Sequence, residues 1–266
     1  MPTGAHDLFA SRFATEISSP PDRIIVRRDV NLPNDATIPT LNFASEGQAL
    51  TSSTLTLANL GNDQATVGTT VRTDNGTSHA LAALTLGGVN SGSQVAYYSV
   101  PNALARSTDL HTLSVVTSGV TGVRTVTQFY KTPINKTITL GAALNIPTVN
   151  TLATSPYLRP RAFVTSQSDY DTAVEVDFTQ FLNQVSRIVY VVTTRGFAGG
   201  TTPAVWEVTV PDFGNASYDA SWGLQSGSDV GWVAHGYKGW LGDLLPQTTE
   251  PSEGVTRTSA TRSSGQ

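Results

Sequence analysis

Ser221, Asp229 and His235 have the residue types of a nucleophile, an orienting carboxylate and a general base. Such a set performs acyl transfer in serine hydrolases, but it is defined by geometry in space rather than by spacing along the chain. The strings nearest to a G-x-S-x-G elbow, at 88–92 and 223–227, place Ser directly before the second Gly instead of in the middle. A hydrolase that assembles its site in space is therefore an alternative function, and no catalytic residue is assigned.

Three carboxylates, Asp169, Asp171 and Asp177, lie close together in the sequence. Loops that connect strands bind calcium when they supply six to eight oxygens. This stretch lacks a third closely spaced ligand and the glycine of a known calcium loop, so the other interpretation is a set of solvated turn carboxylates. No cofactor is expected apart from this calcium alternative.

An aromatic cluster formed by Trp222, Trp232, Tyr237 and Trp240, with Tyr218 nearby, is the sharpest candidate for ligand binding. On a strand, Trp232 and Trp240 would share one face and form a flat platform for a sugar ring or a partner's apolar surface. The alternative is packing in the core or between domains, because Trp is highly buried on average. Both interpretations stay open on the sequence alone.

The segment 185–210 is predicted to form a β-hairpin. Its two runs, 188–194 and 204–210, are rich in β-branched and aromatic residues and flank a glycine-rich turn. Trp206 is expected to face the interior of the second half of the chain. The preceding stretch 179–185 is expected to form a short helical turn.

Short strands separated by turn residues recur along the whole chain, which is the pattern of β-sandwiches. We therefore predict an all-β protein with two β-sandwich domains of immunoglobulin-like or fibronectin-III-like type. A short helix is expected near 7–16, and the polar C-terminal stretch is predicted to be disordered because it cannot bury enough apolar surface. The predicted organisation is a 1–45 N-terminal arm with one or two strands, a 46–146 first sandwich, a 147–245 second sandwich and a 246–266 disordered tail.

Composition narrows the function classes. Charged residues make up 14% of the chain, below the roughly 25% of average domains, whereas Thr (38) and Ser (25) are abundant. The net charge of −4 with only three Lys argues against nucleic-acid binding, which needs several cations on one face. The absence of Cys excludes disulfides and Cys-ligated zinc. No apolar run is long enough to span a membrane.

The N-terminal stretch has no basic region followed by an apolar one, so it does not read as a secretory signal. The favoured expectation is a chain that begins after a removed signal, and the alternative is a cytoplasmically made particle protein. The segment 27–43, RRDVNLPNDATIPTLNF, resembles bacterial extracytoplasmic lipoproteins of uncharacterised function that are built from serial immunoglobulin-like or fibronectin-III-like sandwiches. That resemblance implies a periplasmic or surface location and no known chemistry, although the lipidated Cys of such proteins is absent here.

The leading hypothesis is therefore a non-enzymatic extracytoplasmic module with an adhesive, scaffolding or ligand-binding role. Its expected partners are surface glycans or other protein subunits. The alternative is a self-assembling structural subunit of a virion or extracellular filament. In that case the arm strand at 24–28 would complete the sheet of a neighbouring copy.

Overall fold

The computed structural model describes residues 5–14, 20–31, 40–87, 89–214, 217–242, 244–245 and 250–264. The chain is almost entirely β, with two single-turn 3-10 helices at Ser168–Tyr170 and Ala220–Trp222. Within these ranges, no helix has the length and apolar character needed to cross a membrane. Part of the lipoprotein-like segment, residues 32–39, lies outside the described residues.

The chain divides into two compact units. Unit 1 comprises Met1–Thr117, Val126–Leu140 and Pro246–Thr256, and unit 2 comprises Ser118–Thr125, Gly141–Leu245 and Arg257–Gln266. All four Trp residues belong to unit 2.

Unit 1 contains all or most of each of the seven strands predicted between 53 and 140. Strands β8-β7-β4-β5 are neighbours in that order within a larger sheet, and β6-β3-β9 form a three-stranded sheet in which β3 and β9 run parallel. The bounds are β3 (Thr51–Ala58), β4 (Gln64–Arg72), β5 (Ser78–Leu86), β6 (Gln94–Ser99), β7 (Leu110–Gly119), β8 (Gly122–Tyr130) and β9 (Lys136–Thr139). Because alternate residues of a strand point to opposite faces, each sheet contributes one apolar face to a common core that includes Leu55, Val67, Leu113, Val126 and Ile138.

The N-terminal region forms a hairpin of β1 (Ala5–Arg12) and β2 (Arg23–Asn31). The helix predicted near 7–16 is wrong where it overlaps β1: Phe9 packs with the apolar cluster of unit 1, and the strand pairs antiparallel with β2 with one register shift between His6 and Leu8. Ile24, which the arm hypothesis assigned to a neighbouring copy's sheet, is 1% exposed and packs against Val71 and Leu81 of its own unit. This burial argues against assembly through the arm strand.

In unit 2, β13-β12-β15-β16 are neighbours in that order within a larger sheet, and β10-β11-β14 form a three-stranded sheet. The bounds are β10 (Thr148–Ala153), β11 (Arg159–Thr165), β12 (Ala173–Leu182), β13 (Val185–Thr194), β14 (Val205–Thr209), β15 (Gly231–Gly239) and β16 (Thr256–Ser263). The predicted inward position of Trp206 is confirmed: its side chain is 1% exposed and shares a core with Val174, Val176 and Phe178.

The hairpin predicted over 185–210 is wrong in its pairing, although both of its strands form. β13 pairs with β12, whereas β14 pairs with β11 in the other sheet. The stretch predicted as a helical turn instead continues β12 to Leu182 and reverses at Asn183 and Gln184, whose φ angles are 52° and 63°. Two consecutive positive φ angles define the two-residue turn that matches the twist of a hairpin. Gln is an unusual residue at such a position, so the turn was missed.

The disordered tail predicted at 246–266 is wrong for residues 256–263, which form β16. This strand pairs with β15 over seven residues, and Ala260 is fully buried in the unit 2 core. The strand has few apolar residues, but its pairing satisfies the backbone and its one small buried side chain fits against the sheet. Residues 246–249 and 265–266 of the predicted tail lie outside the described residues.

Candidate functional site

His235 lies in the middle of the outer face of the unit 2 sheet and contacts residues on both neighbouring strands. Its Nε2 is 3.4 Å from Asp177 Oδ2 on β12, and its Nδ1 is 3.2 Å from Thr261 Oγ1 on β16. These partners replace the Asp229 and Ser221 considered from the sequence. The hydroxyl, imidazole and carboxylate stand in the order of a nucleophile–base–carboxylate set.

This set lies within paired strands rather than in a turn. β15 runs in continuous register with β12 across His235 and with β16 across Thr261. The backbone N–H groups on these paired edges therefore belong to the sheet ladder and are not poised as oxyanion donors. We interpret the contacts of His235 as a polar cluster of the sheet surface.

The three carboxylates considered for calcium each have a separate protein partner. Asp169 Oδ2 accepts a hydrogen bond from the Ala142 N–H at 2.9 Å, and Asp171 Oδ1 is 3.1 Å from Arg195 Nη2. Asp177 contacts His235 as described above. In the described part of the chain, no three His, Asp or Glu side chains are grouped so that they could hold a metal ion. The structure therefore does not bring these carboxylates together.

The structure also separates the four aromatic residues of the predicted ligand site. Trp232 is half-buried and packs against the unit 2 core, as expected from its pairing with Phe178. Tyr237 lies five residues further along β15 and therefore points to the opposite face. Trp240 follows the strand, is half-buried and lies over Gly242. A shared platform of Trp232 and Trp240 is not formed, because Trp232 faces the core.

The contacts of Tyr237 are with other residues of the protein and indicate a structural role. Its side chain is buried in a small cluster with Ala173 and Leu241, and its hydroxyl donates to Glu175 Oε2 at 2.7 Å. Burial raises the pKa of Tyr237 above its usual range, and the hydrogen bond to Glu175 adds to this shift. The Arg257 guanidinium lies 5.2 Å from the ring centre. The phenol therefore stays neutral and holds the carboxylate in place.

Trp222 differs from the other three indoles because its side chain is 65% exposed. It ends a run of ring contacts that begins at the buried Tyr157. Tyr157 lies 5.2 Å from Tyr218, Phe213 lies 4.9 Å from Tyr218, and Tyr218 meets Trp222 edge-on at 5.9 Å and 84°. We call these four residues the aromatic platform. Sequence reasoning missed Tyr157 and Phe213, since no local signal links them to Trp222.

The turn that carries Trp222 is held by local hydrogen bonds. The Asp219 carboxylate accepts from the Ser221 N–H at 2.8 Å and caps the single helical turn Ala220–Trp222. The backbone hydrogen bond from Ser221 lowers the pKa of Asp219. At Gly223 the chain passes directly over the Tyr157 ring, where a Cβ atom would lie 2.8 Å from Cγ. Only glycine fits this approach without displacing the ring.

Two glutamines connect this turn to the sheet. Gln225 Nε2 donates to the carbonyls of Ala220 and Gly223 at 2.9 and 2.7 Å. The buried Gln180 side chain in turn accepts from the Gln225 N–H and donates to the Gln225 carbonyl, both at 2.8 Å. Arg187 Nε donates to the Ser221 carbonyl at 3.1 Å. The exposed indole therefore sits on a turn whose backbone is fixed on several sides.

No protein-family model and no curated protein matches the chain. The case for a function therefore depends on the geometry of this platform. An exposed indole with a fixed backbone can stack its face against a flat apolar surface of a ligand, and the edge-on Tyr218 limits its rotation. Asp219 and Arg187, which bond the same turn, are polar groups close to it.

Proposed function

We propose that the protein is a non-enzymatic extracytoplasmic binding module that recognises a surface glycan through the aromatic platform. The observation that carries this proposal is the 65% exposure of Trp222 on a turn fixed by Asp219, Gln225 and the close approach of Gly223 to Tyr157. An apolar ring held in water is unfavourable for the free protein and becomes favourable when a ligand covers it.

A sugar ring suits this site for two reasons. Its C–H groups form a flat apolar face that stacks on an indole, while its hydroxyls need hydrogen-bond partners at the rim. The carboxylate of Asp219 and the guanidinium of Arg187 are charged groups of the kind that bind hydroxyls. A fixed turn also reduces the entropy that is lost when the ligand binds.

The arrangement of strands in each unit also supports the proposed role in glycan binding. In each unit, four neighbouring strands of a larger sheet and one three-stranded sheet contribute apolar faces to a common core. We propose that both units are sandwiches of immunoglobulin-like or fibronectin-III-like type, with the platform presented by loops at one end of unit 2. Such sandwiches commonly use end loops for recognition.

The test is binding of the full chain to an oligosaccharide array, followed by calorimetric titration of the best ligand. We expect Trp222→Ala to weaken binding by about tenfold or more, because stacking on one aromatic ring contributes on the order of 1.4 kcal/mol. Phe197→Ala is the matched control, since Phe197 is an exposed aromatic residue on a different loop. It should bind as the wild type does.

Two results would contradict the proposal. One is an absence of binding to every oligosaccharide by a folded wild-type protein. The other is equal binding by Trp222→Ala and wild type. Trp fluorescence gives an independent readout, because the most exposed of the four indoles should respond to the ligand and that response should vanish in Trp222→Ala.

A subunit of a larger assembly is the second candidate function. The observation that favours it is the long open edge of β13 in unit 2, whose one charged residue is Arg187.

A further inference from the structure

β13 forms the outer edge of its sheet in unit 2. It pairs with β12 on one side, and in the described ranges no strand pairs with its other side. The turn at Asn183 and Gln184 makes Leu182 and Val185 a hydrogen-bonded pair. Since such pairs alternate along an antiparallel ladder, the backbone N–H and C=O groups that point to the open side are those of Ser186, Ile188, Tyr190 and Val192.

Large apolar side chains are exposed beside this open backbone. Tyr190 is 63% exposed, Ile188 is 49% exposed and Phe181 on β12 is 73% exposed. Their register places all three on the outer face of the sheet, opposite the buried Phe178 and Val176. Phe181 and Ile188 also line a surface depression of 270 Å³. Large apolar side chains therefore flank the open backbone, and polar residues such as Thr179 and Asp229 complete the lining of the depression.

β13 has few of the features that usually keep edge strands apart, which are charges, proline and bulges. It contains none of the 20 acidic residues, no Lys and no Pro, and its ten pairs with β12 run without a register shift. Arg187, its one charged residue, is bonded to the Ser221 carbonyl. Two other sheet-end strands differ: β5 and β10 each carry a register shift in their pairing.

We propose that β13 is a self-association edge, through which a second copy of this chain pairs antiparallel and extends the sheet across a twofold axis. The charge pattern favours a second copy. Pairing centred on Tyr190 sets this residue against its own copy, Ile188 against Val192 and Arg187 against Thr193, so no like charges face each other.

The contact between the two copies is small. The exposed parts of Ile188 and Tyr190 on β13 amount to on the order of 250 Å² per copy, which together with the strand backbone reaches the lower end of specific interfaces. The dimer should therefore dissociate in the micromolar range. The proposal rests on the open backbone and exposed side chains of β13 and does not depend on glycan binding at the aromatic platform.

Sedimentation equilibrium of the full chain over about 1–300 µM tests the proposal, because this range brackets the dissociation constants of small interfaces. We expect a reversible monomer–dimer equilibrium. Tyr190→Lys should raise the dissociation constant at least tenfold, because it places two ammonium groups opposite each other. Ile188→Pro should do the same by removing one outward N–H while leaving the ladder with β12 intact.

Val120→Lys is the control, since it adds the same charge at another highly exposed apolar residue of unit 2. It should dimerise as the wild type does. Far-ultraviolet circular dichroism shows whether each variant is folded. If Ile188→Pro does not fold, Tyr190→Lys alone tests the proposal. A wild type that stays monomeric throughout the range overturns the proposal, as does a dimer that Tyr190→Lys leaves unchanged or that Val120→Lys disrupts equally.

Discussion

Acidification should destabilise unit 1 through His111. This side chain is fully buried, its ring stacks on Tyr130 at 5.1 Å, and its Nε2 accepts a hydrogen bond from the Val100 N–H at 3.2 Å. That contact requires an unprotonated Nε2. Burial lowers the pKa of His111 from 6.5 to about 4, against an opposing attraction from Asp109.

The direction and size of the pH effect on the free energy of unfolding follow from proton linkage. Between pH 6.5 and about 4, the unfolded chain binds a proton at His111 and the folded chain does not. The free energy of unfolding should therefore be highest above pH 6.5 and should fall as the pH is lowered toward 4. The total loss is about 3 kcal/mol, with a slope of roughly 1.4 kcal/mol per pH unit in the middle of the range.

The assay is amide hydrogen exchange in the buried core of β7, at Leu113 and Val115, measured at several values between pH 7 and 4.5. Trp fluorescence does not report on unit 1, because all four Trp lie in unit 2. His111→Gln keeps an acceptor for Val100 but cannot titrate, so its stability should vary much less over this range.

His79→Gln is the companion variant, because burial also lowers the pKa of His79 and this shift acts in the same direction. Asp7 titrates in a different range. Burial raises the pKa of Asp7, but the hydrogen bonds with Arg28 and with the Asp29 backbone outweigh this and lower it overall, so protonation of Asp7 reduces the free energy of unfolding only as the pH falls below 3.8. This prediction is refuted if unit 1 of the wild type is equally stable at pH 6.5 and 4.5. It is also refuted if the free energy of unfolding of His111→Gln has the same slope against pH as that of the wild type.

Two further predictions concern unit 2. Gly223→Ala should lower its free energy of unfolding by about 1–3 kcal/mol, because the new Cβ would lie 2.8 Å from the Tyr157 ring. Urea titration followed by Trp fluorescence measures this. The control is Gly196→Ala in the same unit, where a Cβ meets only the Thr194 hydroxyl at 3.4 Å, and its stability should be nearly unchanged. Deletion of 256–266 should lower the unfolding midpoint of unit 2, because it removes β16 and Ala260 from the core. An unchanged midpoint would mean that β16 contributes nothing to stability, and deletion of 265–266 alone is the control.

Much of the fold was predictable because strand formation has a local signal. Alternation such as Val174, Val176 and Phe178 against Glu175 and Asp177 marks a half-buried strand wherever it occurs. The predicted strands between 53 and 140 all form for this reason. Strands with weak alternation, such as β10 and β16, were missed, because few of their side chains are buried and their pairing comes mainly from the backbone.

The candidate site was only partly predictable. Trp222 was among the predicted residues, but the sequence could not show that it is exposed while Trp232 faces the core. Exposure depends on contacts such as that between Tyr157 and Gly223, which join residues far apart in the chain. Likewise, the partners of His235 became clear only when β12 and β16 were placed beside β15.

The sequence by itself determined that this is a β-rich chain without Cys chemistry, because composition and the two-residue period are local properties. Only the tertiary structure decided which strands pair, which indole meets solvent and which edge stays open. The runs at 188–194 and 204–210 illustrate the reason: both are strands, yet they lie in different sheets. Pairing is selected by turn geometry and by which apolar faces can be buried together, and both depend on residues distant in sequence.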